Sequence, residues 1–169
     1  AGVDLFFVIS GFIMVYVTDG MKAGLRSSLD FLFARVTRIY PLWWIFAAIM
    51  TGMFFIYNDL GSSPGWQRVS QGQETVPFLV KSFFLVPQNA HPVLGVGWTL
   101  VHEVYFYLVF TFILLLPRRI WPWVLLAWGG AIAGGTLLGF TEPFGADLRS
   151  LAFYPMTMEF IMGAVVGLL

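Results

Sequence analysis

Gly97-Trp98-Thr99-Leu100-Val101-His102-Glu103-Val104-Tyr105-Phe106-Tyr107-Leu108 opens an apolar run that continues to Leu116. The run holds one carboxylate, Glu103, with His102 beside it. An unpaired carboxylate at bilayer depth costs about 3 kcal/mol or more on insertion scales, so a chain that keeps one there pairs it or uses it. On a helix, Thr99, Glu103 and Tyr107 fall at i, i+4 and i+8 along one stripe, and both neighbours are within reach of the carboxyl. Trp98, His102 and Tyr105 form an adjacent stripe. Two readings of Glu103 stay open from this stretch: a carboxylate that glues helices together, and a working group of a site.

The composition around the stretch decides its solvent. Of 169 residues, 59% are hydrophobic and 11% charged, against roughly 25% charged in a soluble domain. The bilayer is therefore the expected solvent and an all-α bundle the expected fold. The net charge is zero, with no basic block for nucleic acid. There is no cysteine, which excludes disulfides, a thiolate nucleophile and thiolate-ligated metal. His91 and His102 are too few and too far apart for a dedicated metal site.

Outward from the central run, residues 1–17 are apolar apart from Asp4 and a little short for a full crossing of about 20 residues. Asp4, Phe7, Val8 and Gly11 share a face, and Ser10-Gly11 permits close helix approach. Residues 18–37 read as a connector whose part 28–38 forms an amphipathic interfacial helix. Residues 39–58 are uncharged and long enough to span, with Pro41 in the first turn and Tyr40, Trp43 and Trp44 as an interfacial aromatic belt. Residues 59–75 read as a loop outside the membrane. Residues 77–96, short and rich in Pro and Gly, read as a re-entrant or interfacial segment. Spans follow at 98–116, 120–141 and 151–169, the last interrupted by Pro155 and Glu159. Gly129-Gly130 and Gly134-Gly135 are the expected packing faces of the second of these. The expectation is a polytopic helical membrane bundle of about five spans plus the re-entrant segment. Since the chain begins and ends inside apolar runs, residues 1–169 are expected to be a single membrane domain that is part of a larger one. There is no internal repeat.

The Lys/Arg distribution orients this scheme. Lys22, Arg26, Arg35, Arg38, Arg118 and Arg119 belong on the cytoplasmic side, and the loops 59–75 and 142–149 on the outside. The bias is consistent only if residues 77–96 do not cross.

Each polar group has a bland and a sharp reading. Arg35 and Arg38, at i and i+3, are positive-inside anchors or a guanidinium pair that grips phosphates bidentately. Asp4 and Glu159 pair helices or belong to a site. His102 is a hydrogen-bonded core histidine or lines a site. His91, flanked by Pro92 in a loop, reads as solvated.

Three motifs occur in order: Gly2-Val3-Asp4-Leu5-Phe6-Phe7-Val8-Ile9-Ser10-Gly11-Phe12-Ile13, then Phe33-Ala34-Arg35-Val36-Thr37-Arg38-Ile39-Tyr40-Pro41, then Gly97 to Tyr107 as quoted above. Together they resemble the acyltransferase 3 family, integral membrane enzymes that O-acylate cell-surface sugars and other extracytoplasmic acceptors. The wording of the first and third motifs looks most like the exopolysaccharide-acetylating branch. The resemblance is strong over residues 2–116 and continues weakly through Phe160 and Gly163.

The resemblance implies transfer of an acyl group, with acetyl expected, from a cytoplasmic acyl-CoA co-substrate to a sugar or polysaccharide hydroxyl, in the inner membrane of a bacterium and without a bound cofactor. It implies that Arg35 and Arg38 handle acyl-CoA and that Glu103 and Asp4 serve catalysis. Ser10, Trp98, Thr99, His102 and Tyr107 are then expected to line the site. The family's proposed catalytic histidine lies upstream of the Gly-Val-Asp motif, and His102 occupies a variable position, so it is not carried over as that base. Two other readings remain beside the enzyme: a proton-coupled transporter, since buried Asp, Glu and His also form proton paths, and a non-catalytic scaffold.

Overall fold

A computed structural model describes residues 2–58, 64–140 and 148–169. The described residues are helical and contain no strand. In chain order the helices are α1 (Gly2–Val17), α2 (Leu25–Asn58), α3 (Pro64–Ser70), α4 (Thr75–Phe83), α5 (Gly97–Ile113), a 3-10 turn (Arg118–Ile120), α6 (Trp121–Leu137), α7 (Leu148–Ala152) and α8 (Met156–Leu168). Three stretches are long and apolar enough to cross a membrane: Leu25–Tyr57, Arg118–Leu137 and Leu148–Leu168. The other two expected spans fall short. α1 and α5 have 16 and 17 residues, about 24–26 Å at a rise of about 1.5 Å per residue, against a hydrocarbon core of about 30 Å. α5 stops three residues early because its run leads into Pro117, which cannot donate to a further helical turn.

The expected break between an interfacial helix and the first full span is absent. α2 runs unbroken for 34 residues with Pro41 inside it. Its length, about 51 Å, exceeds any bilayer core, so the arginine-bearing first third extends beyond the uncharged part. Proline removes a single backbone N–H from the ladder, and nothing else between Ser28 and Tyr57 opposes helix. The expected loop 59–75 is also corrected. It contains α3, started by Pro64 at the first helical position, and Trp66 is buried between Phe54 of α2 and Phe78 of α4. Residues 59–63 of that loop, and 142–147 of the loop 142–149, lie outside the described residues. The last span breaks before Pro155, as expected, whereas Glu159, the other expected interruption, lies inside the unbroken α8.

α5 is the hub. It runs antiparallel to α2: Gly24 N–H donates to Leu114 O (3.3 Å) at one end, and Gly97 meets the Trp43 ring at the other. A Cβ added at Gly97 would stand 2.5 Å from that ring, so the close approach requires glycine. Arg118 at the end of α5 pairs with Asp19 at the end of α1 (2.6 Å), which places the two basic stretches at one end of the bundle. On its other sides α5 stacks Phe106 on Phe160 of α8 and sets Phe110 edge-on to Trp121 of α6. α1 and α8 cross with their backbones in contact. A Cβ at Gly11 would overlap the Phe160 carbonyl, and one at Gly163 the Val8 carbonyl. Small residues give this proximity where the lipid supplies no hydrophobic drive. Of the four expected packing glycines in α6, Gly129 faces Met158 and Ile161 and Gly135 faces Phe153, while Gly130 and Gly134 face open space.

α4 has 9 residues, about 14 Å, and does not cross. Its last carbonyls, which helix geometry leaves unpaired, are held by three side chains on one face of α2. Trp43 Nε1 donates to Ser82 O (3.1 Å), Trp44 Nε1 to Phe83 O (3.0 Å) and the Tyr40 hydroxyl to Phe84 O (3.1 Å). The aromatics expected as an interfacial belt thus clamp α4 onto α2. The connector 84–96 then leads into α5.

Candidate active site

The α2–α5 seam brings the arginine pair and the glutamate together. Arg35 and Arg38 stand within electrostatic reach of Glu103 and Tyr107. Glu103 is 7% exposed and accepts a hydrogen bond on Oε1 from the Tyr107 hydroxyl, the i, i+4 partner its stripe predicts. Thr99, the other expected partner, does not turn to Glu103. Its hydroxyl donates to Val96 O (2.8 Å), a nearer backbone acceptor in the preceding turn.

The two arginines differ. Arg38 is exposed, whereas Arg35 is 9% exposed, lying over the rings of Phe31 (5.3 Å) and Tyr107 (5.8 Å) with Nε buried and unpartnered. Among the described residues no carboxylate forms an ion pair with Arg35. A topology anchor belongs in water at the membrane surface. Arg35 instead lies between two rings beside the seam, a position in which a guanidinium keeps its planar hydrogen-bonding fork.

A cavity opens on each side of the Glu103–Tyr107 pair. One, of about 360 Å³, is lined by Arg35, Tyr40, Tyr105 and Tyr107 and otherwise by apolar side chains such as Leu32, Val104 and Leu108. The other, of about 430 Å³, is lined by Arg38 and Glu103 with Leu42, Phe46 and Leu100. Ile39 lines both. Each cavity therefore has one arginine at its wall, and the carboxylate–phenol hydrogen bond lies between them.

His102, 4% exposed, is on the far face of α5. Its Nδ1 lies 2.8 Å from Trp98 O, an atom that can only accept, so Nδ1 carries the hydrogen and Nε2 of the neutral ring is a bare lone pair. Nε2 is buried without a partner, among Phe7 of α1, Trp98 and Tyr154. Asp4, half-buried on α1, stands within electrostatic reach of Glu159 on α8, whose Oε2 is buried and unpartnered. Ser10 is buried on α1 beside Gly11, at the α8 crossing. The structure thus gathers Arg35, Arg38, Glu103 and Tyr107 in one seam, and places His102, Asp4 and Ser10 around α1. Trp98 borders a third, small cavity under the connector.

Sequence reasoning missed the connector's contribution. Ser82, fully buried, accepts from Gln88 Nε2 (3.0 Å) and from Val93 N–H (3.1 Å), which folds the connector back on α4. No periodicity marks such a contact. The expected interfacial belt of Tyr40, Trp43 and Trp44 did not foresee their contacts with the α4 carbonyls either.

The chain is 31% identical over 173 aligned residues to the exopolysaccharide production protein ExoZ of Rhizobium meliloti, an alignment that covers 99% of this chain and 50% of that protein. It is 30% identical over 129 residues to an uncharacterized protein of Haemophilus influenzae, covering 69% of this chain and 49% of that one. The chain spans about half the length of these curated relatives. No solved structure matches it significantly. The family profile described as an acyltransferase domain matches residues 1–169, and the chain belongs to this acyltransferase 3 family.

Proposed function

We propose that the complete protein is a membrane O-acyltransferase that moves an acyl group, acetyl in the first instance, from acyl-CoA to a hydroxyl of an extracytoplasmic polysaccharide or lipid-linked sugar. The single observation that carries the reading is the α2–α5 seam, where the Glu103–Tyr107 pair lies beside a cavity walled by the buried, ring-held Arg35, which among the described residues has no ion-pair partner, and a second cavity walled by Arg38. Arg35 and Arg38 bind phosphate oxygens of the donor. The apolar cavity beside Arg35 accepts the pantetheine arm and the acyl group. The acceptor oxygen attacks the thioester carbonyl, a C–O bond forms, the C–S bond breaks, and the hydroxyl proton ends on the coenzyme A thiol. Glu103, held by Tyr107, orients the proton-carrying histidine that the family resemblance puts upstream and stabilises its imidazolium.

In this reading α1 and α5 are two further crossings beside the three long stretches, α4 is the re-entrant segment, and the basic end of the bundle faces the cytoplasm of a bacterial inner membrane. The test is to supply radiolabelled acetyl-CoA to the purified complete protein in vesicles with exopolysaccharide from its host. Label in the polysaccharide, lost in Glu103→Gln, is the expected result. No transfer and no acyl-CoA binding would reject the reading.

A further inference from the structure

The cavity beside Arg35 is walled mainly by apolar side chains and suits an acyl chain. The small cavity under the connector has the opposite character. It measures about 80 Å³, the space of two or three waters at about 30 Å³ each, and Gln71, Gln88, Asn89, His91 and Trp98 are in its wall. No lysine or arginine lines it. Gln88 is 8% exposed and spends its amide N–H on Ser82, which leaves Oε1 buried with no partner. A buried amide oxygen without a donor costs about 1–3 kcal/mol, and a turn of the Gln88 amide toward the cavity it lines would let a ligand hydroxyl recover that. Trp98 supplies an aromatic wall beside the amides. Uncharged amides next to an indole fit a neutral polyol and do not fit a phosphate.

The position of this cavity matters as much as its chemistry. Val86, Pro87 and Val101 line both it and the apolar cavity that holds Arg35 and Tyr107. A hydroxyl-bearing ring edge bound here is separated from the acyl cavity by one layer of side chains. The cavity lies at the connector end of α5, away from the end where Arg118 meets Asp19. Donor and acceptor would then enter from opposite ends of the seam. We propose that the connector cavity walled by Gln88 and Trp98 is the acceptor subsite, and that it binds the hydroxyl-bearing edge of a neutral sugar. This rests on the O-acyltransferase reading.

The described chain has no cysteine, so single thiols report occupancy directly. Asn89→Cys places one at the cavity, and Gln67→Cys places a control on α3, in the complete protein with any other cysteine replaced. Methyl hexosides and host exopolysaccharide oligosaccharides at saturating concentration should slow maleimide labelling of the Asn89→Cys protein and leave that of the Gln67→Cys protein unchanged. Adding Gln88→Leu should abolish the protection. In turnover, Gln88→Leu should raise the acceptor KM about tenfold with the acyl-CoA KM unchanged. Equal labelling with and without every saccharide, or an acceptor KM indifferent to Gln88→Leu in a protein that still melts cooperatively, overturns the subsite. Failure of the enzyme reading looks different, since the unsubstituted protein would then neither bind nor turn over acyl-CoA, whatever the labelling result.

Discussion

Arg35→Ala is the most informative single change at the donor end. The structure makes Arg35 and Arg38 unequal, although the sequence presents them as a pair. Arg35 is buried on two rings with Nε unpartnered, and Arg38 is exposed. A hydrogen bond to a charged group is worth about 1.5–3 kcal/mol, so losing one from a buried guanidinium should raise the acyl-CoA KM roughly tenfold to a hundredfold. The exposed Arg38 gains at most about 1 kcal/mol from each contact in a screened setting, which limits Arg38→Ala to about fivefold. Arg35→Lys should recover part of the loss, because the ammonium keeps the charge but lacks the planar fork. The assay is steady-state transfer with varied acetyl-CoA, accompanied by thermal unfolding, because Arg35→Ala also removes two cation–π contacts of about 0.5–1 kcal/mol each. Unchanged donor KM in Arg35→Ala, or a larger effect at Arg38 than at Arg35, would return both arginines to topology anchors.

Other outcomes follow from the packing and the topology. Gly163→Leu should prevent the α1–α8 crossing, since even a Cβ there overlaps the Val8 carbonyl, and detergent-solubilised protein should melt several degrees lower, whereas Gly130→Leu, in open space, should not shift the melt. Arg26→Cys and Arg118→Cys should label from the cytoplasmic side; Ser70, expected on the outside, is buried, so the exposed Gln67→Cys on the same helix should label from the outside only, and labelling of Gln67→Cys and Arg118→Cys from the same side would sink the non-crossing assignment of α4. Gly145, expected on the outside, falls outside the described residues and is a further labelling site. Residues 1–169 alone should be inactive for lack of the upstream histidine. Activity from them would assign the base to His102, whose Nε2 is already the unprotonated nitrogen.

The elements that local periodicity governs were legible in the sequence. The i, i+4 stripe gave the Glu103–Tyr107 bond, and Gly11 marked the close crossing. The same stripe misplaced Thr99 because its hydroxyl finds a backbone acceptor in the preceding turn before it reaches a side chain. Tyr40, Trp43 and Trp44 were read as an interfacial aromatic belt because their partners, Ser82 to Phe84, lie about forty residues away and are backbone carbonyls, which no sequence pattern displays. Gln88 was invisible for a related reason. It sits in a Pro-rich connector with no period, and its importance lies in what its neighbours leave unpaired. The difference between Arg35 and Arg38 is likewise a property of packing, since three residues along a helix separate a buried position from an exposed one.

The claim that acyl transfer is centred on the α2–α5 seam is tested most directly by kcat of Glu103→Gln in the complete protein, measured with saturating acetyl-CoA and acceptor. Glutamine keeps a carbonyl for the Tyr107 hydroxyl and removes the charge. If Glu103 orients and stabilises the catalytic imidazolium, kcat should fall about a hundredfold, with acetyl-CoA affinity and the amount of folded protein unchanged. If kcat stays within about twofold of the unsubstituted enzyme, Glu103 only joins helices and the catalytic centre lies elsewhere.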